Sequence, residues 1–294
     1  NIMNLPGLHH VTAIASDPRR NVDFYTRVLG LRLVKQTVNF DDPSTYHLYY
    51  ADGVGTPGSV LTFFPWAGLR RGRVGSGQVT ATSFSLPADG LQFWVDRLTA
   101  HSVALTDATS RFGESVIRFE DPDGLVLELV GTRETDARTP WTHPEIPATA
   151  GIRGFHGVTL GVTSADATLA LLTGPMGYRV TATEGGRTRL TTANGGPGTY
   201  VDLLVDPTLP RGLQGAGTVH HVAFRTPDDH SQASDLATLQ TLGLHVSPVM
   251  DRSYFHSIYY REPAGILFEI ATDNPGFATD ETVEQLGSTL RLPP

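Results

Sequence analysis

Residues 261–269 read Arg261-Glu262-Pro263-Ala264-Gly265-Ile266-Leu267-Phe268-Glu269, and residues 120–128 read Glu120-Asp121-Pro122-Asp123-Gly124-Leu125-Val126-Leu127-Glu128. Each is a turn followed by an apolar strand ending in a carboxylate, because proline pre-sets the turn and glycine releases it. Gly58 to Thr62 and Gly198 to Asp202 repeat the glycine and the polar residue four positions on. A pattern that occurs four times predicts one supersecondary unit used four times.

Upstream of each copy lie a strand and then a helix. In the first, His10 to Ala15 alternates, Ser16 is placed to cap, Pro18 sits in the first helical turn, and Val22, Tyr25, Val28 and Leu29 form an apolar face ended by Gly30. Leu91, Trp94, Val95 and Leu98 mark the second helix, Ala167, Leu171 and Leu172 the third, and Leu236, Leu239 and Leu242 the fourth. The expected modules are βαβββ units at 5–70, 77–132, 152–206 and 217–272. The Pro- and Thr-rich stretch 139–150 reads as a linker between an N-terminal pair (1–138) and a C-terminal pair (151–294). The end of the chain reads as a short helix, Glu281 to Leu286, within a mobile tail.

Composition narrows the chemistry. The 294 residues carry a net charge of −8 with Lys and Arg scattered, which argues against a nucleic-acid or anionic-membrane partner. No apolar run approaches a membrane span, and a cytoplasmic protein is expected. Cysteine is absent, so any metal must be held by His, Asp, Glu or Tyr.

A His-His word occurs twice, Leu8-His9-His10-Val11 and Val219-His220-His221-Val222. Aligning the first strands of the modules places His10, Ala81, Gly157 and His221 at one position; aligning the last strands places Thr62, Glu128, Asp202 and Glu269 at another. Only a pairing of the first module with the fourth collects two imidazoles and a carboxylate: His10, His221 and Glu269, with Thr62 as a fourth, non-ligating residue. That donor set suits non-haem Fe(II) or Mn(II) with positions left open. One metal is therefore expected where the two ends of the chain meet. Glu128 has the same local look as Glu269 but no histidine partner. In the third module, Phe155-His156-Gly157 keeps the first histidine and lacks the second, which assigns the ligand role to the second of each pair. Strict alternation would turn His9 and His220 away from the metal, unless a bulge intervenes.

The words Gly7-Leu8-His9-His10-Val11-Thr12, Tyr46-His47-Leu48-Tyr49-Tyr50-Ala51-Asp52, Gly55-Thr56-Pro57-Gly58 and Ile266-Leu267-Phe268-Glu269-Ile270-Ala271-Thr272 carry a resemblance that spans nearly the whole chain. The chain resembles the vicinal-oxygen-chelate (glyoxalase/bleomycin-resistance/dioxygenase) superfamily, and most of all its hydroquinone-type ring-cleaving dioxygenases. The resemblance implies an α+β fold in which four βαβββ modules form two open, cup-shaped mixed β-sheets. It also implies that Arg252 and Tyr259 contact a bound hydroxylated ring, and that His9, His220 and Thr12 lie near the substrate pocket. Tyr259 would donate a hydrogen bond or approach the metal as phenolate; His256 is a further acid–base candidate, without an assigned role.

The expected activity is Fe(II)- or Mn(II)-dependent cleavage of a para-dihydroxylated aromatic ring by O2, with a small aromatic substrate and a homo-oligomer as an open option. The alternatives are an extradiol catechol dioxygenase, a metal-dependent glyoxalase-like lyase, and a non-catalytic aromatic-binding protein. The lyase reading is weakened because such sites usually carry a second carboxylate where Thr62 stands.

Overall fold

The computed structural model describes all 294 residues. The first module comprises β1 (Leu8–Ala15), α1 (Pro18–Val22), β2 (Arg32–Asn39), β3 (Asp42–Ala51) and β4 (Val60–Pro65). The second comprises β5 (Gln78–Pro87), α2 (Leu91–Ala100), β6 (Thr109–Arg111), β7 (Glu114–Glu120) and β8 (Val126–Thr132). The third comprises β9 (Gly154–Val162), α3 (Asp166–Thr173), β10 (Arg179–Glu184), β11 (Arg187–Thr191) and β12 (Tyr200–Val205). The fourth comprises β13 (Val219–Thr226), α4 (Asp229–Thr241), β14 (Met250–Asp251), β15 (Phe255–Arg261) and β16 (Leu267–Pro275). No helix is long and apolar enough to cross a membrane.

These strands form two mixed sheets of eight. One runs β14-β15-β16-β13-β1-β4-β3-β2 and joins the fourth module to the first; the other runs β10-β11-β12-β9-β5-β8-β7-β6 and joins the third to the second. Within each module the first and last strands are parallel neighbours, with Thr12 beside Thr62 and Ala223 beside Glu269. The modules meet through antiparallel pairs of first strands, β1 with β13 and β5 with β9. Phe84 and Phe155, both fully buried, stack across the second of these junctions.

Every first strand carries a bulge at the same place. Leu8 pairs with Phe224 and His10 with Ala223, leaving His9 as the extra residue; Thr12 pairs with His221 and Ala13 with Val219, leaving His220. The second sheet repeats this at Thr80 and His156. A bulge re-aims the side chains around it, so the regular alternation expected for His9-His10 and His220-His221 fails where it matters. Because the histidine-free strand β5 bulges too, the bulge belongs to the module and the histidines exploit it.

Three local expectations need correction. Asp17, not Ser16, caps α1 by accepting from the backbone N–H groups of Arg19 and Arg20, while Ser16 donates from both N and Oγ to Asp123 in the second module. The first helix is α for one turn only and continues as a π turn, Asp23–Val28, in which Leu29 N–H reaches back to Phe24. The tail forms single 3₁₀ turns at Phe277–Thr279 and Val283–Gln285 rather than a helix over 281–286. It is anchored: Lys35 of β2, wholly buried, bridges Asp280 and Glu281, and Gln36 donates to the carbonyl of Gly287. The Gly287 backbone lies so close to β2 that a Cβ there would meet Leu33 O at 1.8 Å. Segment 139–150 is irregular but packed, with Ile146 against Gly30 and Trp141 under Arg32.

Candidate metal centre

His10, His221 and Glu269 converge on one face of the first sheet, brought together by the β1–β13 and β13–β16 pairings. All three are buried, Glu269 completely. His10 Nε2 lies 3.4 Å from His221 Nε2 and 3.4 Å from Glu269 Oε2; His221 Nε2 lies 3.0 Å from Glu269 Oε1. Despite that proximity, Glu269 Oε1 accepts no hydrogen bond from any protein group. Three ligand atoms this close, with a buried carboxylate oxygen left unpartnered among them, point at a shared centre. A cation about 2.1 Å from each, bonded at right angles, would set edges of about 3 Å. The donor set and its spacing therefore fit a divalent metal. Burial pushes the Glu269 carboxyl up, but the two imidazoles outweigh it and hold the group well below the usual carboxylate range. Ser257 donates to its other oxygen at 2.9 Å, a partner that sequence reading missed.

The neighbouring histidines set the tautomers. His9 Nδ1 lies 2.8 Å from His10 Nδ1, and His220 Nδ1 lies 2.8 Å from His221 Nδ1. A metal requires bare Nε2 atoms on His10 and His221, so their protons sit on Nδ1 and are donated to His9 and His220. His220 must then carry its own proton on Nε2 and act as a donor. Burial, followed by the neighbouring imidazole, depresses both supporting histidines, His220 to about 3 and His9 well below its ordinary value, so both are neutral. His220 lines the cavity in front of the triad, but His9 does not: its bulge sets it behind His10, against Phe255 and the Thr272 backbone.

His9→Phe keeps an aromatic ring but removes the acceptor for His10 Nδ1–H. It is expected to weaken metal binding roughly 10–100-fold, as measured by competition with a chelator. Unaltered affinity would show that His10 needs no such partner.

The cavity, about 360 Å³, takes its walls from both modules of the sheet. Arg252 and Tyr259 line it, as expected, with Arg252 Nε donating to Tyr259 Oη at 3.0 Å. Burial and the nearby Glu269 charge raise Tyr259, which favours the phenol form in the metal-free chain. Thr12 also lines the cavity, and its Oγ1 begins a chain through Thr62 Oγ1 (2.7 Å) and His47 Nε2 (2.9 Å) to Tyr49 Oη on His47 Nδ1 (3.0 Å). Sequence left the segment from Tyr46 to Asp52 open between a pocket wall and a plain strand; His47 and Tyr49, which share a face of β3 at i, i+2 spacing, line the cavity. Phe40, Phe64, Trp66 and Phe255 complete an aromatic wall. His256 lies outside: its Nδ1 contacts Asp229 at the start of α4.

The second sheet does not repeat the triad: its one group of possible ligands, Glu114, Glu134 and His156, uses other positions, and its carboxylates already accept from Arg189 and Tyr200. At the last-strand position shared by Thr62 and Glu269, Asp202 is taken by Arg187 and Arg189, and Glu128 by Arg111, Arg118 and Ser83. At the histidine position, a Cβ on Gly157 would meet the Tyr200 carbonyl oxygen at 2.6 Å, so no imidazole fits there.

The model of the Glyoxalase/Bleomycin resistance protein/Dioxygenase superfamily matches residues 7–129 and 154–270. The chain is 50% identical over 287 residues to the Bacillus subtilis protein named "Putative ring-cleaving dioxygenase MhqO", covering 98% of this chain and 91% of that one. It is 34% identical over 305 residues to the chlorohydroquinone/hydroquinone 1,2-dioxygenase of Sphingobium indicum, covering 100% and 94%. A Bacillus subtilis crystal structure, described as a "putative dioxygenase", superposes with a TM-score of 0.95 at 49% identity, covering 99% of this chain and 93% of that one.

Proposed function

Because this chain belongs to the Glyoxalase/Bleomycin resistance protein/Dioxygenase superfamily, we propose that it is a ring-cleaving dioxygenase that uses Fe(II), or Mn(II), to open hydroquinone-type rings with O2. The observation that carries this reading is the buried His10–His221–Glu269 triangle opening onto an aromatic cavity. The two imidazole Nε2 atoms and the Glu269 carboxylate would hold the ion. When bound, it supplies the redox-active centre that spin-forbidden reaction of O2 with an aromatic ring requires.

The protein's own groups bind and orient the ring. Phe40, Phe64, Trp66 and Phe255 exclude water and enclose its faces, so that the reacting oxygen is held beside the triad rather than found by diffusion. Tyr259 Oη, polarised by Arg252 Nε, donates to a ring oxygen and stabilises negative charge there. His220 Nε2–H is a second donor on the cavity wall and would hold a proton for an oxygen of the reacting O2. Thr12 offers its hydroxyl from the end of the His47 chain.

Thr62 weighs against the lyase alternative: its hydroxyl is bound to Thr12 and His47, and no second carboxylate joins the triad. The experiment is O2 uptake by anaerobically Fe(II)-loaded protein given hydroquinone, methylhydroquinone or catechol. Faster uptake with the hydroquinones, accompanied by a ring-opened product, is expected. Preference for catechol would move the assignment to the extradiol class, and no uptake with any of them would overturn ring cleavage.

A further inference from the structure

Arg252 is the only lysine or arginine on the cavity wall, and its guanidinium is already committed. Nε donates to Tyr259, while Nη1 and Nη2 donate to Asp41 Oδ1 and Oδ2, both at 3.1 Å. The end-on edge that would take a carboxylate in bidentate fashion is therefore filled, and with Nε also in use no second such edge is left. Asp41 comes from the other end of the chain, on the two-residue turn between β2 and β3, and its backbone N–H is fixed by Asn39 Oδ1 at 3.0 Å. Its side chain is 64% exposed, whereas that of Arg252 is 15% exposed, so the pair stands at the mouth of the cavity with the carboxylate outermost.

We propose that Asp41 is a specificity-determining residue: by pairing with Arg252 it neutralises the one cationic side chain on the cavity wall and selects rings with uncharged substituents over rings that bear a carboxylate. This rests on the ring-cleaving reading for the kind of ligand. A ring carboxylate entering the cavity meets aromatic faces and no lysine or arginine with a free donor edge, and loses hydration without gaining a side-chain counter-charge. It also passes Asp41, which repels it. Alkyl, alkoxy or halogen substituents meet Phe40, Phe64 and Trp66 instead and gain contact. Removing the Asp41 charge while keeping the side chain's shape frees the Nη edge of Arg252 for a ring carboxylate.

The test titrates Fe(II)-loaded wild type, Asp41→Asn and Asp41→Asn/Arg252→Gln under argon with methylhydroquinone and with 2,5-dihydroxybenzoate, following the tryptophan fluorescence to which Trp66 contributes. Wild type is expected to favour the neutral ring; Asp41→Asn is expected to narrow that preference roughly tenfold or more, and the double variant to lose the gain. An unchanged preference in Asp41→Asn, or a gain that survives loss of Arg252, would overturn the proposal, as would wild-type affinity equal for both rings. O2 uptake is recorded separately. Binding with the expected preference but no uptake would overturn ring cleavage and leave the role of Asp41 standing; absence of binding by either ring would overturn both.

Discussion

His221→Ala is expected to lose bound metal and to lower O2 uptake at least about a thousandfold, since several kcal/mol of metal-derived stabilisation disappear and each 1.4 kcal/mol is tenfold in rate. Two ligands would remain, His10 and Glu269, on strands that no longer present three donors to one ion. The change also strands two supporting groups: Glu269 Oε1 loses its neighbour at 3.0 Å, and His220 Nδ1 loses its donor at 2.8 Å. The check does not depend on turnover. Saturating metal at about 100 times its Kd should stabilise wild type by about 2.7 kcal/mol, read as a raised melting temperature, and leave the variant unmoved. Equal thermal shifts in both proteins would mean that the ion binds elsewhere.

Glu128→Ala is expected to destabilise the fold by about 3 kcal/mol while leaving metal content intact. The carboxylate is completely buried and receives both Nη atoms of Arg111, two bonds from Arg118 and one from Ser83. Removing it abandons Arg111, whose side chain is 13% exposed, without a counter-charge. Burial pushes Glu128 up, but Arg111 and then Arg118 pull it down further, to about 2. A depressed carboxyl contributes stability that is fully present above its unfolded value near 4.5 and is lost as pH falls through about 2. The stability gap between wild type and Glu128→Gln, measured by urea unfolding, should therefore be constant from pH 8 to 5 and shrink below 4.5. A gap that grows on acidification would reverse the sign and contradict the assignment. Replacing Glu128 and Arg111 together by leucine and methionine should recover most of the loss, because a buried pair costs desolvation that an apolar pair does not.

The modules and the triad were legible because both are repeated. Turn chemistry at Pro122-Asp123-Gly124 and Pro263-Ala264-Gly265 marks two last strands, and alignment of the copies forces His10, His221 and Glu269 into one sheet. The observed β1–β13 and β13–β16 pairings supply that arrangement. What was not legible depends on partners distant in the chain. Asp41 reaches Arg252 across 211 positions, and nothing local marks it. His47 looks like one histidine in an aromatic strand until the β3–β4 pairing brings it to Thr62. Glu128 resembles a ligand because its local strand matches that of Glu269; only Arg111 and Arg118, on β6 and β7, distinguish a salt-bridged carboxylate from a metal-binding one. The docked tail was misread because its anchor, Lys35, lies some 245 residues upstream and is unremarkable in its own strand.

The bulges explain the roles of the paired histidines. A regular strand would have placed His9 and His220 on the far face; instead each stands Nδ1 to Nδ1 with its neighbour. Because the same bulge persists at Thr80 and His156, where the triad is not repeated, it is a property of the module that in the first sheet sets His9 and His220 against the two imidazoles of the triad.

The most direct test is an anaerobic Fe(II) titration of the metal-free protein, each point assayed for O2 uptake with methylhydroquinone. Uptake that rises linearly and stops at one Fe(II) per chain is the predicted result, matching turnover at the His10–His221–Glu269 centre alone. Uptake independent of added metal, or rising to two equivalents per chain, would contradict it.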